Sequence, residues 1–191
     1  NDNSTANFSA VLSPTTVSTC IVVVANRELD GIASKFKKGE TTKVQAMEAM
    51  LHTRTSKWTA DGSTSGGYTP IPMYGETEVV KITPSMNPIT GINMKRMLAR
   101  IDIRNSASNF TVEEVYLANY NTIGYIAPAW DANGKLKDPA PDAPNLPADG
   151  GKKTEEGDAI LYSVDGNTPY NGEIYTFEAP AAKDAGGVGQ D

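Results

Sequence analysis

The sequence has almost none of the side chains from which most metal and nucleophilic sites are built. It contains one histidine, His52, and one cysteine, Cys20. A catalytic triad or a histidine-based metal site cannot be made from these two residues alone. No G-x-S-x-G, P-loop or G-x-G-x-x-G pattern occurs either. We therefore expect no enzyme activity, no cofactor and no bound metal.

Disulfide pairs, basic charge and long hydrophobic runs are also lacking. One cysteine excludes an intrachain disulfide framework, although it does not exclude secretion. The chain has 17 Lys and Arg against 23 Asp and Glu, a net charge of −6 and a pI of about 4.9. That sign disfavours a nucleic-acid partner and docking on anionic lipid. No run reaches the ~18 apolar residues of a membrane-spanning helix, and no signal peptide stands at Asn1.

Turn-forming residues, in contrast, are plentiful. The 191 residues include 17 glycines and 12 prolines, which indicates many turns in one domain, or in one domain with an appendage. We assign residues 1–180 to the domain and residues 181–191 to a linker or tail. Within the domain, residues 131–159 are rich in Pro, Asp, Gly and Lys, which predicts a long surface loop.

One stretch has helical periodicity. Residues 41–52 begin with Thr42 and carry Gln45 three positions later, the pattern of a capping box. We predict a single helix here, ending near His52, whose charge would favour the last carbonyls of the helix. Its apolar face would consist of Val44, Met47, Met50 and Leu51.

The other periodic stretches predict strands. The apolar, β-branched run 17–25 indicates a strand buried on both faces. Residues 92–104 alternate, which predicts a half-solvated antiparallel strand with Met97, Ala99, Ile101 and Ile103 on one face. Further strands are predicted at 71–82, 110–120, 160–164 and 173–179. The order of these elements indicates a mainly β protein, a sandwich with one helical crossover.

Candidate sites remain, each with a simpler alternative. Cys20 lies in an apolar run, where a buried, inert thiol is the default. Asp131, Asn133 and Asp138 faintly resemble a calcium loop, but Asn133-Gly134 fits a hairpin turn better. The acidic residues of the strands are expected to be solvated rather than paired as in a glycosidase, which makes a hydrolase the least favoured alternative. The residues concerned are Glu76, Glu78, Glu113 and Glu114.

Several aromatic residues fall in or beside predicted loops. Trp58, Tyr74 and Trp130 are our candidates for contact with a ligand, because aromatic rings can stack on sugars or on a partner protein. The alternative is that these rings fix the loops to the body of the domain. Ligand contact would make the protein a binding module.

Four segments in succession resemble the N-terminal domain of the fimbrillin family, the fimbrial subunits of Bacteroidales bacteria. The segments are IVVVAN at 21–26 followed by the helix at 41–52, IPMYGE at 71–76, MKRMLARIDIRN at 94–105 followed by NFTVEEVYLANY at 109–120, and EIYTFEA at 173–179. The resemblance extends over about residues 17–180.

Membership would imply a transthyretin-like antiparallel β-sandwich with one helical crossover. It would also imply export as a lipoprotein precursor, a place in an extracellular fimbria anchored at the outer membrane, and polymerisation by donation of a strand from a neighbouring subunit. The implied partners are other subunits, whether copies of this chain, tip proteins or anchor proteins, and a host protein or glycan. If the loop aromatics contact a ligand, the alternative function is that of a fimbrial tip adhesin or a glycan-binding surface lipoprotein. The family's first strands would precede IVVVAN and its second domain would follow YTFEA, so we expect this chain to be a fragment of a longer protein.

A sandwich that lacks a strand exposes unpaired main-chain groups and apolar pockets, which together form a polymerisation surface. We predict that the 17–25 and 94–104 strands flank this groove, because they are the most apolar and the best alternating. The side chains we expect to line it are Ile21, Val23, Met97, Ala99, Ile101 and Ile103.

Overall fold

The structure is a computed structural model that describes most of the chain in nine stretches. They are residues 7–27, 31–54, 70–85, 88–112, 114–117, 120–137, 144–148, 160–163 and 171–178. Trp58, most of the predicted 131–159 loop and the predicted 181–191 tail lie outside the described residues.

The described residues are mainly β-structure, with nine strands, one α-helix and one short 3-10 helix. The strands are β1 Val22–Ala25, β2 Leu51–Thr53, β3 Met73–Glu76, β4 Lys95–Arg96, β5 Leu98–Arg104, β6 Glu114–Leu117, β7 Ile123–Tyr125, β8 Ile160–Ser163 and β9 Asn171–Phe177. The α-helix α1 is Lys43–Ala49, and the 3-10 helix is Ala33–Lys35.

All the strand pairs are antiparallel, as predicted for a mainly β protein. Among the described residues the strands form one three-stranded sheet in the order β1-β3-β4 and three two-stranded ladders, β2-β7, β5-β9 and β6-β8. The longest ladder is β5-β9, which runs from Leu98 opposite Phe177 to Arg104 opposite Asn171.

The helix begins where its capping box predicts. Gln45 N donates to Thr42 Oγ1 (3.2 Å), and Thr42 N donates to Gln45 Oε1 (2.9 Å), so two main-chain donors of the first turn are satisfied. Met47 and Met50 are buried, and Val44 packs against the same core. The predicted apolar face of the helix is confirmed at these positions.

The predicted end of the helix is wrong. α1 ends at Ala49, and His52 lies on β2, paired with Gly124 of β7. The cause is tertiary: residues 51–53 gain a complete ladder with β7, and the His52 ring lies 6.4 Å from the ring of Phe177 on β9. Cross-strand pairing and packing outweigh the weak helical preference of three residues.

Residues 92–104 contain strand structure, as predicted, but their apolar side chains do not form the predicted face. The chain bends at Met97, between β4 and β5. Met97 is buried and Leu98 packs against the same core, so two consecutive side chains face inward. Ala99 and Ile101 are exposed, so Met97, Ala99 and Ile101 do not share one buried face as predicted.

The core is formed where the helix meets the strands. It contains Met47, Met50, Ile71, Tyr74, Met97, Ile126, Ala127, Trp130, Tyr175 and Phe177. The first residues of the predicted 131–159 loop pack against this core, whereas the sequence predicted a surface loop. Trp130 is bridged to Leu136, and Gly134, with φ of +76°, lies buried against the Lys43 and Val44 side chains of α1. This confirms the hairpin turn at Asn133-Gly134.

Candidate assembly site

Strand β1 is at the edge of the three-stranded sheet, and the residues before it extend the pairing. Thr19 and Val80 exchange two main-chain hydrogen bonds of 2.7 and 2.8 Å, and Thr77 N donates to Ile21 O (3.0 Å). Thr15 N donates to Ile82 O (3.0 Å). Residues 15–25 therefore form one long edge against residues 73–82.

The hydrogen bonds determine which main-chain N–H and C=O groups of this edge point away from β3. In an antiparallel ladder, alternate residues direct both their N–H and C=O groups toward the partner strand. Thr15, Thr19 and Ile21 direct them inward, so the groups of Val22 and Val24 point away from β3. No described strand lies on that side of β1. This outward row of groups is a template for one more strand.

The helix contacts one face of the three-stranded sheet through β3. Lys43 Nζ of α1 lies 2.8 Å from Glu76 Oε2 on β3, and Tyr74 Oη donates to the same oxygen (2.9 Å). Burial, followed by the hydrogen bond to Glu76, raises the pKa of the Tyr74 phenol far above its usual range. Cys20 Sγ donates to Thr77 O (3.3 Å), and burial, followed by the charge of Glu76, raises the pKa of its thiol. This cluster holds the edge against the helix.

The opposite face of the sheet is covered by residues 92–94. A Cβ placed on Gly75 would lie 2.9 Å from Asn93 O and 2.9 Å from Ile92 Cγ2. Because the chain passes so close over Gly75, only glycine fits at this position of β3. Both faces of the sheet are thus in contact with other parts of the chain, and no described strand pairs with the outer side of β1.

Exposed apolar side chains accompany the open edge. Val22 is 38% exposed, while Val79 and Val17, on the two strands of the extension, are 65% and 68% exposed. Phe8, Val11 and Leu12 precede them and are exposed as well. We call the unpaired side of residues 19–25 the β1 edge, and residues 8–13 the apolar segment.

Charged residues are absent from the β1 edge and from the apolar segment that precedes it. Residues 3–26 contain no Asp, Glu, Lys or Arg. Edge strands of soluble proteins are usually protected from pairing by charged side chains, proline or a bulge. A bulge lies on the partner strand, where residues 78–79 interrupt the register between Thr77 and Val80, but the β1 edge itself has no such protection.

The predicted groove residues do not line one ladder. Ile21 and Val23 belong to the β1 edge and are half-buried. Met97 is in the core, and the other three lie on β5, which pairs with β9 in another sheet. Ala99 is exposed, Ile101 is 41% exposed, and Ile103 is half-buried. The six predicted residues are therefore divided among the β1 edge, the core and β5.

Two of the predicted ligand-contact residues are enclosed. Tyr74 is 0% and Trp130 is 4% exposed. Trp130 packs edge-on against Tyr125, at 5.0 Å between ring centroids. Its main-chain N–H donates to Asn145 Oδ1 (2.8 Å). Both rings pack within the domain, which was the alternative to ligand contact, and neither presents a face to solvent.

A shallow groove of about 330 Å³ lies beside α1. It is lined by Lys35, Phe36, Glu40, Thr41, Gln45 and Ala49. Its one aromatic ring, Phe36, is half-buried and packs against the core. A glycan site usually offers an exposed ring for stacking, so this groove supports the adhesin alternative less than the β1 edge supports assembly.

Asp131, the first residue of the calcium-loop alternative, takes part in a turn. Asp131 Oδ1 accepts hydrogen bonds from Asn133 N (2.8 Å) and Lys135 N (3.0 Å), and these bonds lower the pKa of the Asp131 carboxyl. Among the described residues, no group of three or more His, Cys, Asp or Glu side chains is placed to hold a metal ion. Asp138 lies outside the described residues.

The sequence-based prediction missed Val22, Val17 and Val79 as parts of the site. The signal was present, because the stretch 3–26 combines the β-prone run at 17–25 with a complete lack of charge. A buried strand and an unprotected edge strand have the same composition, so the run alone did not distinguish them.

Comparisons of the chain with protein-family models, with curated proteins and with solved structures returned no match. Of the described helices, none is long and apolar enough to cross a membrane.

Proposed function

We propose that this protein is a structural subunit of a bacterial surface fimbria, which polymerises by strand addition and supports cell adhesion. The proposal includes export as a lipoprotein precursor, a place in a fimbria anchored at the outer membrane, and assembly with other fimbrial subunits. The observation that carries it is the β1 edge, which is unpaired among the described residues and free of charge. The resemblance to fimbrillins supports it independently.

Strand addition suits this edge physically. An added strand would bond to the outward main-chain groups of Val22 and Val24, which gives affinity, and its alternating side chains would contact the exposed valines, which gives register. The Lys43–Glu76–Tyr74 cluster holds the accepting strands in place. The accepting edge is therefore ordered before the partner arrives, which lowers the entropic cost of binding.

The finer fold belongs to the same proposal. A transthyretin-like sandwich with a missing edge strand would be completed by the donated strand, which turns several short ladders into two closed layers. The packing of Phe177 of β9 over Gly124 of β7 is the kind of face-to-face contact that a sandwich requires.

The experiment uses the purified chain and two edge variants, Val22→Pro and Val22→Lys. The proline removes an outward N–H while leaving the inward bonds of Ile21 and Val23, and the lysine adds the charge that edges usually carry. Polymer formation is followed by light scattering and by SDS-resistant ladders on gels. Losing one ladder hydrogen bond and its contacts should weaken association by roughly tenfold or more.

Ser108→Lys, in an exposed turn away from the edge, is the matched control and should assemble like the unmodified chain. If the unmodified protein stays monomeric at every concentration, or if the edge variants assemble as well as Ser108→Lys, the proposed function is wrong.

A further inference from the structure

The apolar segment has the pattern of a strand without a strand partner. In an extended chain Phe8, Ala10 and Leu12 would lie on one side, which is wholly apolar, and Ser9 and Ser13 would lie on the other with Val11 between them. The structure gives these residues no helix or strand assignment, and no main-chain hydrogen bond joins them to another described residue. Val11 is fully exposed, and Phe8 and Leu12 are exposed as well.

The exposed apolar segment and the unprotected β1 edge are complementary in chemistry. Both are free of charge, so their contact buries apolar side chains without desolvating an ion. The six residues 8–13 are about the usual length of a strand, and they match the stretch 19–25 of the edge. Either the exposed apolar segment or the unprotected edge alone would favour aggregation.

The segment and the edge of one chain are poorly placed to pair with each other. Thr15 N is bound to Ile82 O and Thr19 N to Val80 O, so residues 15–19 run along the sheet. To lie beside the β1 edge of the same chain, residues 8–13 would require the chain to reverse its direction at Ser13-Pro14. Proline there fixes φ and constrains the residue before it, which does not fit the turns that close two-residue hairpins.

We infer that the apolar segment, residues 8–13, is a donor strand that pairs with the β1 edge of a second copy of this chain. This inference rests on the proposed function and makes it specific, because it names the donor within the chain itself. Pro14 separates the donor from the residues that are paired within the sheet, so one chain can use both its edge and its segment. A chain that donates and accepts at different places forms open, head-to-tail polymers.

The test is cross-linking between two differently tagged chains, both with Cys20→Ser. One chain carries a single cysteine at successive positions 8 to 13, and the other carries Val22→Cys. A disulfide between them requires Cβ atoms about 4 Å apart. We expect cross-linked heterodimers whose yield alternates along 8–13 with a period of two, several-fold higher at one parity than at the other. A Ser108→Cys chain replaces the Val22→Cys chain in the control and should give only background.

The possible outcomes distinguish a wrong donor segment from a wrong proposed function. Polymers that disappear with Val22→Pro but give no cross-link above the Ser108→Cys background would overturn this donor while leaving the proposed function intact. Yields without alternation would also overturn it, because they indicate non-specific contact. A chain bearing both cysteines that forms only a monomeric disulfide, even when concentrated, would show pairing within one chain and contradict the inference.

Discussion

His52 is the one histidine of the chain, and its surroundings determine its charge. It lies on β2 opposite Gly124, beside the ring of Phe177. Burial, with a smaller effect from the positive charge of Arg27, lowers the pKa of His52 below its ordinary value of 6.5. The sequence-based expectation of a cation at a helix end is therefore reversed, and the folded protein favours the neutral ring.

This lowered pKa predicts a pH dependence of stability. Because the unfolded chain binds the proton first as pH falls, the contribution of His52 is complete above about pH 6.5 and is lost below it, at no more than about 1.4 kcal/mol per pH unit. Urea unfolding at pH 7.5 and 5.5 should show a larger loss of stability for the unmodified protein than for His52→Gln. Burial raises the pKa of Glu178, which acts in the opposite direction, but it is common to both proteins and cancels in the comparison. Equal losses in both would contradict the prediction.

At the scale of elements, the sequence predicts those that carry local signals. The start of α1 follows from Thr42 and Gln45, and the hairpin at Asn133-Gly134 follows from turn chemistry, so both are predictable without tertiary information. Strands β2 and β7 were not predicted. Each has three residues, and each exists because the other provides its ladder. The β1 edge was recognised as a strand but not as an edge, since neighbours in a sheet depend on topology that one sequence does not contain.

The contact between β7 and β9 is a second feature that only the structure reveals. A Cβ on Gly124 would overlap the ring of Phe177, approaching Cε1 to 2.7 Å and Cγ to 2.8 Å. Gly124→Ala should therefore destabilise the protein by about 1–3 kcal/mol, the usual effect of overpacking. Urea unfolding of Gly124→Ala, Phe177→Leu and the double variant measures the coupling. The double variant should be less destabilised than the sum of the single variants, and simple additivity would show that the ring is not the obstacle.

At the scale of the whole molecule, the proposed strand addition would make the stability of the fold depend on pairing with another subunit. Three of the four sheets have only two strands among the described residues, and isolated two-stranded ladders are marginal in water. Pairing at the β1 edge would add a strand to the three-stranded sheet and would extend its apolar contacts over Val17, Val22 and Val79. Assembly and folding are then thermodynamically linked, because a partner that binds only the folded chain stabilises it.

The linkage predicts a melting temperature that rises with protein concentration. At about a hundredfold above the dissociation constant, association adds roughly 2.7 kcal/mol, which for a chain of this size corresponds to an increase of roughly 5–10 °C. Calorimetry over a wide concentration range should show this increase for the unmodified protein and for Ser108→Lys. Val22→Pro and Val22→Lys should melt at one temperature throughout, because their edge accepts no strand. A concentration dependence that survives in both edge variants would place the stabilising contact on another surface, whereas its loss in both would tie the stability of the fold to the β1 edge.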